Sequence, residues 1–395
     1  IRWFTLGFMN SPFFSYLMNI FCGQHKYAGY VNTCPVPNIS SELTDKITLL
    51  TENIVSILRK IASQDETSRE FVGINLHEIS SIGEFSKNQF NERLKLAKRI
   101  AEYDEEISTC VFQWYKVPEE GRIKVLDFWN RSPNINKQIC PFENENEIKQ
   151  YYVKRIISLI VGVIFKRWNA SIVLKPHDVN SRGYFDELPW PPYATEVVEK
   201  VNLSSEIFSN DDTNDRDLFN SFRQQLDLIW GMNASNIEQE ICSTLQISSL
   251  REYINQPLNY FTDHFNTYSQ SHRLAPIYWP LSTPSCSYTL WLYYHHLNDQ
   301  TLYTCVNDFV DPKLKQVSEE VARLRFKKGR SAADEKGLER LTEFERELKD
   351  FREELLRVAK FWKPNLVDGV EITAAPLWKL FQYKPWQKRL KETWQ

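Results

Sequence analysis

The chain has 395 residues, of which 42% are hydrophobic and 25% are charged, a composition typical of soluble globular proteins. Its length predicts two or three domains, each large enough to bury a core. The 48 basic and 51 acidic residues give a net charge of −3, so any DNA contact would need a local basic surface. Seven cysteines without a C-x-x-C pair argue against a disulfide framework or a zinc site and favour a reducing cytoplasm.

Two apolar runs were candidates for membrane spans, but neither has the necessary form. Residues 3–22 are interrupted by Asn10, Ser11 and Pro12, whereas a spanning helix needs about 20 mostly apolar residues. Residues 156–165 are too few and are typical of a buried helix. The apolar start also lacks the basic region and small-residue cleavage site of a signal peptide. We therefore expect a cytoplasmic protein with no membrane partner.

Hydrophobic periodicity predicts helices in the first half of the chain. The first covers residues 41–62, and its apolar residues recur at steps of three and four: Leu43, Ile47, Leu50, Ile54, Ile57 and Ile61. The second covers residues 86–115, and its expected inward-facing residues are Phe90, Leu94, Ala97, Ile100 and Ile107. A third helix, at residues 148–168, is expected to be buried.

Beyond this point the pattern changes. Residues 171–202 are rich in proline and polar side chains, which predicts an irregular loop. The low hydrophobicity of residues 210–217 predicts a linker. A helical pair follows at residues 218–229 and 234–255, interrupted at Gly231.

The richest aromatic stretch of the chain lies between Arg273 and Pro312. Its rings, set among leucine and β-branched residues, are Tyr278, Trp279, Tyr288, Trp291, Tyr293, Tyr294 and Tyr303. Prolines divide it into short pieces, which indicates extended segments joined by turns. Large aromatic side chains stabilise through the area that they bury, so most of these rings should be core. The adjacent His295 and His296 should point in different directions, as structural residues rather than metal ligands.

A helical hairpin is predicted at residues 311–362. Asp311 would supply the N-cap and Pro312 the first helical position. The apolar stripe of this helix is Leu314, Val317, Val321 and Leu324. After a glycine-containing turn, Ser331 and Asp334 predict a capping box. The second helix repeats at steps of three and four through Leu341, Phe344, Leu348, Phe351, Leu355, Val358 and Trp362. The dense mixed charge of the hairpin indicates a solvated surface rather than a DNA contact.

Several segments of the second half carry a resemblance to a known family. They are Ala275-Pro-Ile-Tyr-Trp-Pro-Leu-Ser-Thr, Tyr288-Thr-Leu-Trp-Leu-Tyr-Tyr-His, Phe361-Trp-Lys-Pro-Asn and Ile372-Thr-Ala-Ala-Pro-Leu-Trp-Lys. This pattern resembles the C-terminal region of PglX-type adenine-specific DNA methyltransferases. These enzymes belong to BREX phage-defence systems and are related to type IIG restriction–modification enzymes. The resemblance covers roughly residues 1–40 and 218–395.

The resemblance also implies an organisation for the chain. Residues 1–40 would be the segment leaving a catalytic domain that lies upstream, so we expect the chain to be a fragment. Residues 41–210 would form a helical target-recognition region, and residues 211–395 a C-terminal domain. The parent enzyme would transfer a methyl group from S-adenosylmethionine to an adenine flipped out of the duplex. The implied partners are double-stranded DNA and other phage-defence proteins.

The chain itself lacks the motifs of methyl transfer. No two of its 12 glycines are closer than six positions, so it has no glycine-rich cofactor turn and we expect it to bind no cofactor itself. The nearest match to an adenine clamp of the form Asn-Pro-Pro-Tyr is Trp190-Pro191-Pro192-Tyr193, in which the donor-only indole cannot replace the accepting Asn. No catalytic or metal-binding residue is assigned. Methyl transfer by this chain alone would contradict this interpretation.

The candidate DNA-binding residues are basic and amide side chains on loops near aromatic residues. The irregular loop supplies Lys175, His177, Asn180 and Arg182. A second set, further upstream, is Arg131, Asn134, Asn136 and Lys137. Arg273 could contact phosphate or stack on a ring at the edge of the core. Ordinary loop polarity is the alternative explanation for both sets.

Together these features predict an α+β fold, predominantly helical, with bundle-like segments, a small aromatic β region and a long antiparallel helical hairpin. The expected function is DNA recognition within an adenine-N6 methyltransferase. The alternative is a non-catalytic interaction module, in which the hairpin and the aromatic stretch bind a protein partner and DNA has no role.

Overall fold

The computed structural model describes residues 1–22, 28–32, 34–130, 139–181, 183–184, 207–270, 273–367 and 369–395. Helices predominate, together with a three-stranded antiparallel sheet and a two-stranded ribbon. The predicted α+β, predominantly helical class is confirmed. The chain divides into two compact units: the first is Ile1–Ile74, Ile79–Tyr152 and His177–Asp186, and the second is Asn75–Glu78, Val153–Pro176 and Glu187–Gln395. The segment boundaries expected at residues 40 and 210 remain predictions.

The first unit is built from helices. In chain order they are α1 (Arg2–Met9), α2 (Pro12–Cys22), α3 (Ala28–Val31), α4 (Ser41–Ala62), α5 (Ile82–Trp114), α6 (Glu119–Asn130) and the part of α7 (Glu145–Ile164) up to Tyr152. Pro12 begins α2, because a residue without an N–H is tolerated in a first helical turn. The apolar run at residues 3–22 is therefore split in two. The core of this unit includes Phe8, Phe14, Ile47, Ile100, Ile107 and Trp114.

Helix α4 has the predicted bounds, because a capping side chain determines its start. Ser40 Oγ accepts a hydrogen bond from the Leu43 N–H at 3.3 Å, which satisfies one of the free N–H groups of the first turn. Ile47, Leu50 and Ile54 of the predicted stripe are buried. The prediction of an apolar inner face is confirmed.

Helix α5 begins at Ile82, earlier than predicted. Ser81 is the N-cap, and its Oγ accepts a hydrogen bond from the Glu84 N–H. The prediction that Leu94 faces inward is wrong, because this side chain is 47% exposed. Arg93 is buried instead and donates through Nη1 to the carbonyl of Ile139 at 3.1 Å, a partner that a buried charge requires.

The second unit contains the end of α7 and the remaining helices and strands of the chain. They are α8 (Ser171–Leu174), β1 (Phe208–Ser209), α9 (Leu218–Trp230), α10 (Ala234–Leu245), α11 (Leu250–Asn255), α12 (Tyr260–Tyr268), β2 (Ser269–Gln270), β3 (Arg273–Leu274), β4 (Tyr278–Ser282), β5 (Thr289–Tyr293), α13 (Thr301–Thr304), α14 (Asp311–Phe326), α15 (Ala332–Ala359), α16 (Val370–Ala374) and α17 (Lys384–Trp394). Helix α7 is buried as predicted but ends before Trp168, because Lys166 adopts a left-handed conformation with φ of 51°.

The aromatic stretch supplies two of the three strands of the sheet in this unit. The strand order is β1–β5–β4, with Tyr278 opposite Tyr293 and Phe208 opposite Trp291. Pro280 lies in the edge strand β4, the position in a sheet where a missing N–H is tolerated. The buried rings are Tyr278, Trp279, Tyr288, Trp291, Tyr293 and Tyr294, and Tyr303 is partly buried. The prediction that most of these rings are core is confirmed.

Residues 210–217 are not the linker that their composition predicts. The Asn210 side-chain carbonyl accepts a hydrogen bond from the Thr289 N–H of β5 at 2.9 Å. Asp211 pairs with Lys313 of α14 at 2.9 Å. The polar side chains of this segment therefore bond to the sheet and to the hairpin rather than to solvent alone.

The helical pair that follows is also shorter than predicted in its second member. Asp217 caps α9, since its carboxylate accepts a hydrogen bond from the Asn220 N–H at 2.6 Å. Gln246 has φ of 55° and ends α10, and Ser249 caps the separate helix α11. The single helix predicted at residues 234–255 is therefore wrong.

The hairpin consists of α14 and α15, and its predicted capping box is confirmed. Ser331 Oγ accepts from the Asp334 N–H at 3.2 Å, and the Asp334 carboxylate accepts from the Ser331 N–H at 2.9 Å. In α14, Val317, Val321 and Leu324 are buried. In α15 the buried members of the repeat are Leu348, Phe351, Leu355 and Val358, and Trp362 beyond its end is also buried.

The predicted N-cap at Asp311 is wrong. Its backbone is helical, with φ of −64° and ψ of −43°, and the chain passes into α14 from α13 through a π-helical turn at Cys305–Val310. A wider turn of this kind removes the need for the N–H that Pro312 lacks. The Asp311 carboxylate instead accepts a hydrogen bond from Arg352 Nε at 2.6 Å, which ties the two helices of the hairpin together.

Candidate nucleic-acid interface

The predicted loop residues that the structure describes lie on the surface. Lys175, His177 and Asn180 are exposed. Lys175 follows α8, and its N–H donates to the Ser171 carbonyl at 2.7 Å. The Asn180 N–H donates to the Asp178 side chain at 2.9 Å within a single 3₁₀ turn. Arg182, Arg131, Asn134, Asn136, Lys137 and the Trp190 to Tyr193 segment lie outside the described residues.

Arg273 is exposed and occupies the first position of β3. Its register partner is Gln270 of β2, so the two residues face each other across a ribbon of two residues a side. The ribbon follows directly on Tyr268, the last residue of α12. Arg273 therefore lies on the two-stranded ribbon that follows α12.

A second basic group lies where α7 ends. Lys166 is exposed and Arg167 is partly exposed. The Arg167 guanidinium lies 4.0 Å from the Trp168 ring centroid and 5.1 Å from that of Tyr268, and it donates a hydrogen bond to the Tyr268 hydroxyl. Stacking on rings fixes the orientation of a guanidinium while leaving it charged.

Tyr268 contacts Arg167 and immediately precedes the ribbon that carries Arg273. It accepts the hydrogen bond of Arg167, and its chain neighbour Ser269 pairs with Leu274, next to Arg273. Arg167 and Lys166 were not among the residues predicted from the sequence. The available signal was a pair of basic residues immediately after an apolar helix, but the importance of Arg167 depends on Tyr268, 101 residues away.

His264 is a buried hydrogen-bond acceptor that packs against Tyr268. Its Nε2 accepts hydrogen bonds from the N–H groups of Ile277 and Tyr278, at 2.9 and 3.1 Å. The ring is 2% exposed and packs between Tyr268 and Tyr278, with centroid distances of 4.6 and 4.8 Å. Burial, and then the charge of Arg167, lowers the pKa of His264 well below its usual value. The ring therefore stays neutral and serves as an acceptor that fixes the start of β4.

The two adjacent histidines diverge as expected. His295 is exposed, whereas His296 is buried and its ring lies 4.6 Å from that of Tyr293. Burial, and then the charge of Lys166, lowers the pKa of His296 to about 4. At neutral pH the positive charge of this region therefore comes from lysine and arginine.

The hairpin surface has a different electrostatic character. Several of its basic residues form ion pairs with carboxylates on the same helix, as in the pairs Arg323–Glu320, Arg346–Glu343, Arg346–Asp350 and Lys349–Glu345. Because acidic and basic side chains alternate along these helices, the surface is mixed rather than basic. This agrees with the predicted solvated surface.

Two further observations concern the residues that the structure describes. None of the helices in the described ranges combines the length and the apolar character that crossing a membrane requires. Within those same ranges, no three His, Cys, Asp or Glu side chains come together as a set of metal ligands. No model of a known protein family matches the chain, and no curated protein is detectably similar to it.

Proposed function

We propose that this chain is the DNA-recognition and C-terminal part of a site-specific adenine-N6 DNA methyltransferase that acts in phage defence. S-adenosylmethionine and the flipped adenine would be held by a catalytic domain elsewhere in the parent enzyme. This chain would bind the DNA duplex, recognise its sequence and contact partner proteins in the cytoplasm. The proposal rests first on the resemblance of the aromatic stretch and the segments after α15 to PglX-type enzymes.

Two observations best support a DNA role: Arg167 is stacked on Tyr268 and bonded to it, and the exposed Arg273 lies on the ribbon that follows Tyr268 in the chain. DNA binding by a chain with a net charge of −3 requires a local concentration of positive charge. Arg167 and Arg273 are the candidates to supply it, since Arg167 stacks on Tyr268 and Arg273 lies on the ribbon that begins at the next residue. Guanidinium groups suit phosphate because they donate two parallel hydrogen bonds. We therefore assign Arg167 and Arg273 to phosphate contacts, with Lys175 as a further candidate.

The test is the salt dependence of binding to duplex DNA, measured by fluorescence anisotropy. Each lost phosphate contact should reduce the slope of log K against log salt by about 0.9. We expect Arg273→Ala to weaken binding and reduce the slope by about this amount. Arg346→Ala, which removes an exposed arginine from the mixed-charge surface of the hairpin, is the control and should change neither quantity. Binding that does not weaken as salt rises would contradict the proposal.

One observation favours the alternative function, an interaction module. Phe326, the last residue of α14, is 82% exposed at the tip of the hairpin. A large exposed ring beside a mixed-charge surface is typical of a protein contact. Phe326→Ser should then abolish co-purification with neighbouring phage-defence proteins while DNA binding is unchanged. Deleting residues 313–360 would also test the hairpin, but it would remove the buried Phe351 and Leu355 and could unfold the unit. Phe326→Ser changes only an exposed side chain.

A further inference from the structure

A cavity of about 540 Å³ lies within the first unit. Helices α5 and α6 form its two walls, and the junction between α1 and α2 forms its floor. Its size is that of a site for a small organic molecule. Its lining includes Asp104, Ser108 and Phe112 from α5, and Arg122, Leu126 and Trp129 from α6.

The one basic residue of the lining is already engaged. Arg122 Nε donates to the Val117 carbonyl at 3.0 Å, and its Nη1 lies 3.7 Å from the Glu119 carboxylate. Its guanidinium also lies 5.8 Å from the Phe112 ring centroid. Glu119 balances the charge of Arg122, so Asp104 and Glu105 leave the cavity with net negative charge.

Asp104 is the central feature of this cavity. Among the residues that the structure describes, no cation lies within ion-pair distance of its carboxylate, and no donor bonds to it. Ser108 does not fill this role, because its Oγ donates to the Asp104 backbone carbonyl at 2.7 Å. Burial without a compensating partner raises the pKa of Asp104 to about 6. Burying a carboxylate costs free energy unless a cation or a hydrogen-bond donor pairs with it. A bound ligand that supplies this partner would therefore be stabilised by Asp104.

The other walls indicate the shape of such a ligand. Phe112 and Trp129 supply aromatic surface, and Leu126 supplies apolar surface at the rim. Aromatic faces attract cations as well as apolar groups, and tryptophan does so most strongly. A neutral donor could form a hydrogen bond with the carboxylate but would not balance its charge, and an anion would be repelled by it.

We propose that this cavity binds a small organic cation, a protonated amine or amidinium on an apolar or aromatic body, with the Asp104 carboxylate as its ion-pair partner. Trp129 and Phe112 contact the body of the ligand, and Leu126 borders the entrance. The site lies entirely in the first unit, and it does not depend on the DNA-recognition role. Its chemistry also suits a lysine side chain, so the source of the amine is part of the test.

The experiment is calorimetric titration of the full chain at pH 7.5. The probes are tryptamine, spermidine, N-acetyl-lysine amide and the matched anion indole-3-propionate. We expect an amine to bind, and Asp104→Asn to weaken that binding at least ten-fold. Glu102→Gln removes an exposed carboxylate from the same helix outside the cavity and should leave the affinity unchanged. Leu126→Trp should weaken tryptamine more than spermidine, because it narrows the entrance without changing charge.

The outcomes separate clearly. Preference for tryptamine or spermidine supports a free amine as ligand, and preference for N-acetyl-lysine amide supports the same cation site occupied by a protein side chain. Circular dichroism at each variant's working temperature establishes that Asp104→Asn is folded. Binding of indole-3-propionate as tight as that of tryptamine, equal affinities for Asp104→Asn and Glu102→Gln, or no binding by any amine would overturn the proposal.

Discussion

The indole of Trp168 folds back onto Gly162 of α7, in the buried part of the second unit. A Cβ added at Gly162 would lie 2.3 Å from Cδ1 and 2.6 Å from Nε1 of Trp168, and 3.3 Å from the Tyr278 hydroxyl. Trp168 is 2% exposed and Tyr278 fully buried, so neither ring has free space into which it could move. The absence of a side chain at position 162 is therefore what allows α7 to pack against the aromatic stretch.

Gly162→Ala should accordingly destabilise the second unit. Overpacking of a well-packed core costs about 1–3 kcal/mol, which outweighs the higher helix propensity of alanine. Gly337→Ala in α15 is the matched control, because a Cβ there meets nothing within 4 Å. It should stabilise the protein by about 0.5–1 kcal/mol. Urea unfolding of both variants gives the comparison, and equal free energies of unfolding would contradict the packing argument.

His264 should contribute to stability as a neutral acceptor. His264→Phe keeps the ring volume but leaves the buried N–H groups of Ile277 and Tyr278 without their acceptor, at a cost of about 2 kcal/mol or more. His264→Gln, which offers an oxygen, should recover part of this loss. Because the pKa of His264 is lowered in the folded state, its stabilisation is present above the unfolded value of about 6.5 and is lost as pH falls below it. The His264→Phe variant should lack this component of acid destabilisation.

Asp104 should act on stability in the opposite sense. Its folded pKa of about 6 lies above the usual value of 3.8, so its protonated form favours folding. The contribution is complete below about pH 4 and is lost as pH rises through 6. Asp104→Asn should therefore unfold at higher urea than the parent at pH 7.5, and the two should converge near pH 4. Glu105 on α5 and Glu119 and Arg122 on α6 face the same cavity and are unchanged in this comparison.

Amine binding offers an independent check on the same carboxylate. A protonated amine requires ionised Asp104, so its affinity should rise between pH 5 and 7 and then level off. Asp104→Asn should remove this rise. A profile that stayed flat in the parent chain would assign the ion pair to another group of the cavity.

Sequence reasoning succeeded where a local signal determines the structure. The bounds of α4 follow from Ser40 and the apolar repeat, and the start of α15 follows from Ser331 and Asp334, three residues apart. In both cases the partner groups lie within one helical turn. Propensity and capping are properties of such short segments, so one sequence contains the necessary information.

It failed where the deciding partner is remote in the sequence. Arg93 replaces Leu94 as the buried residue because the Ile139 carbonyl is available to it. The Asp311 carboxylate does not cap α14 and instead binds Arg352 across the hairpin, 41 residues away. The candidate sites also depend on remote partners. Arg167 is oriented by Tyr268, and Asp104 faces a cavity whose other wall is α6. Composition cannot reveal these pairs, because tertiary contacts create them.

The capping box offers a test of whether the hairpin tip is only a solvated end. Ser331→Ala removes the acceptor for the Asp334 N–H and should cost about 1 kcal/mol of stability. Thr342→Ala is the control within the same helix: its hydroxyl donates to the Leu338 carbonyl, which is already an intrahelical acceptor, so the loss should be negligible. Urea unfolding measures both changes. Neither variant should alter the affinity for duplex DNA, because neither substitution changes the charge of the hairpin, and Arg323 and Arg346 on its surface form ion pairs with carboxylates of their own helices. If Ser331→Ala alone lost DNA affinity, the nucleic-acid interface would be assigned to the hairpin tip rather than to Arg167 and Arg273.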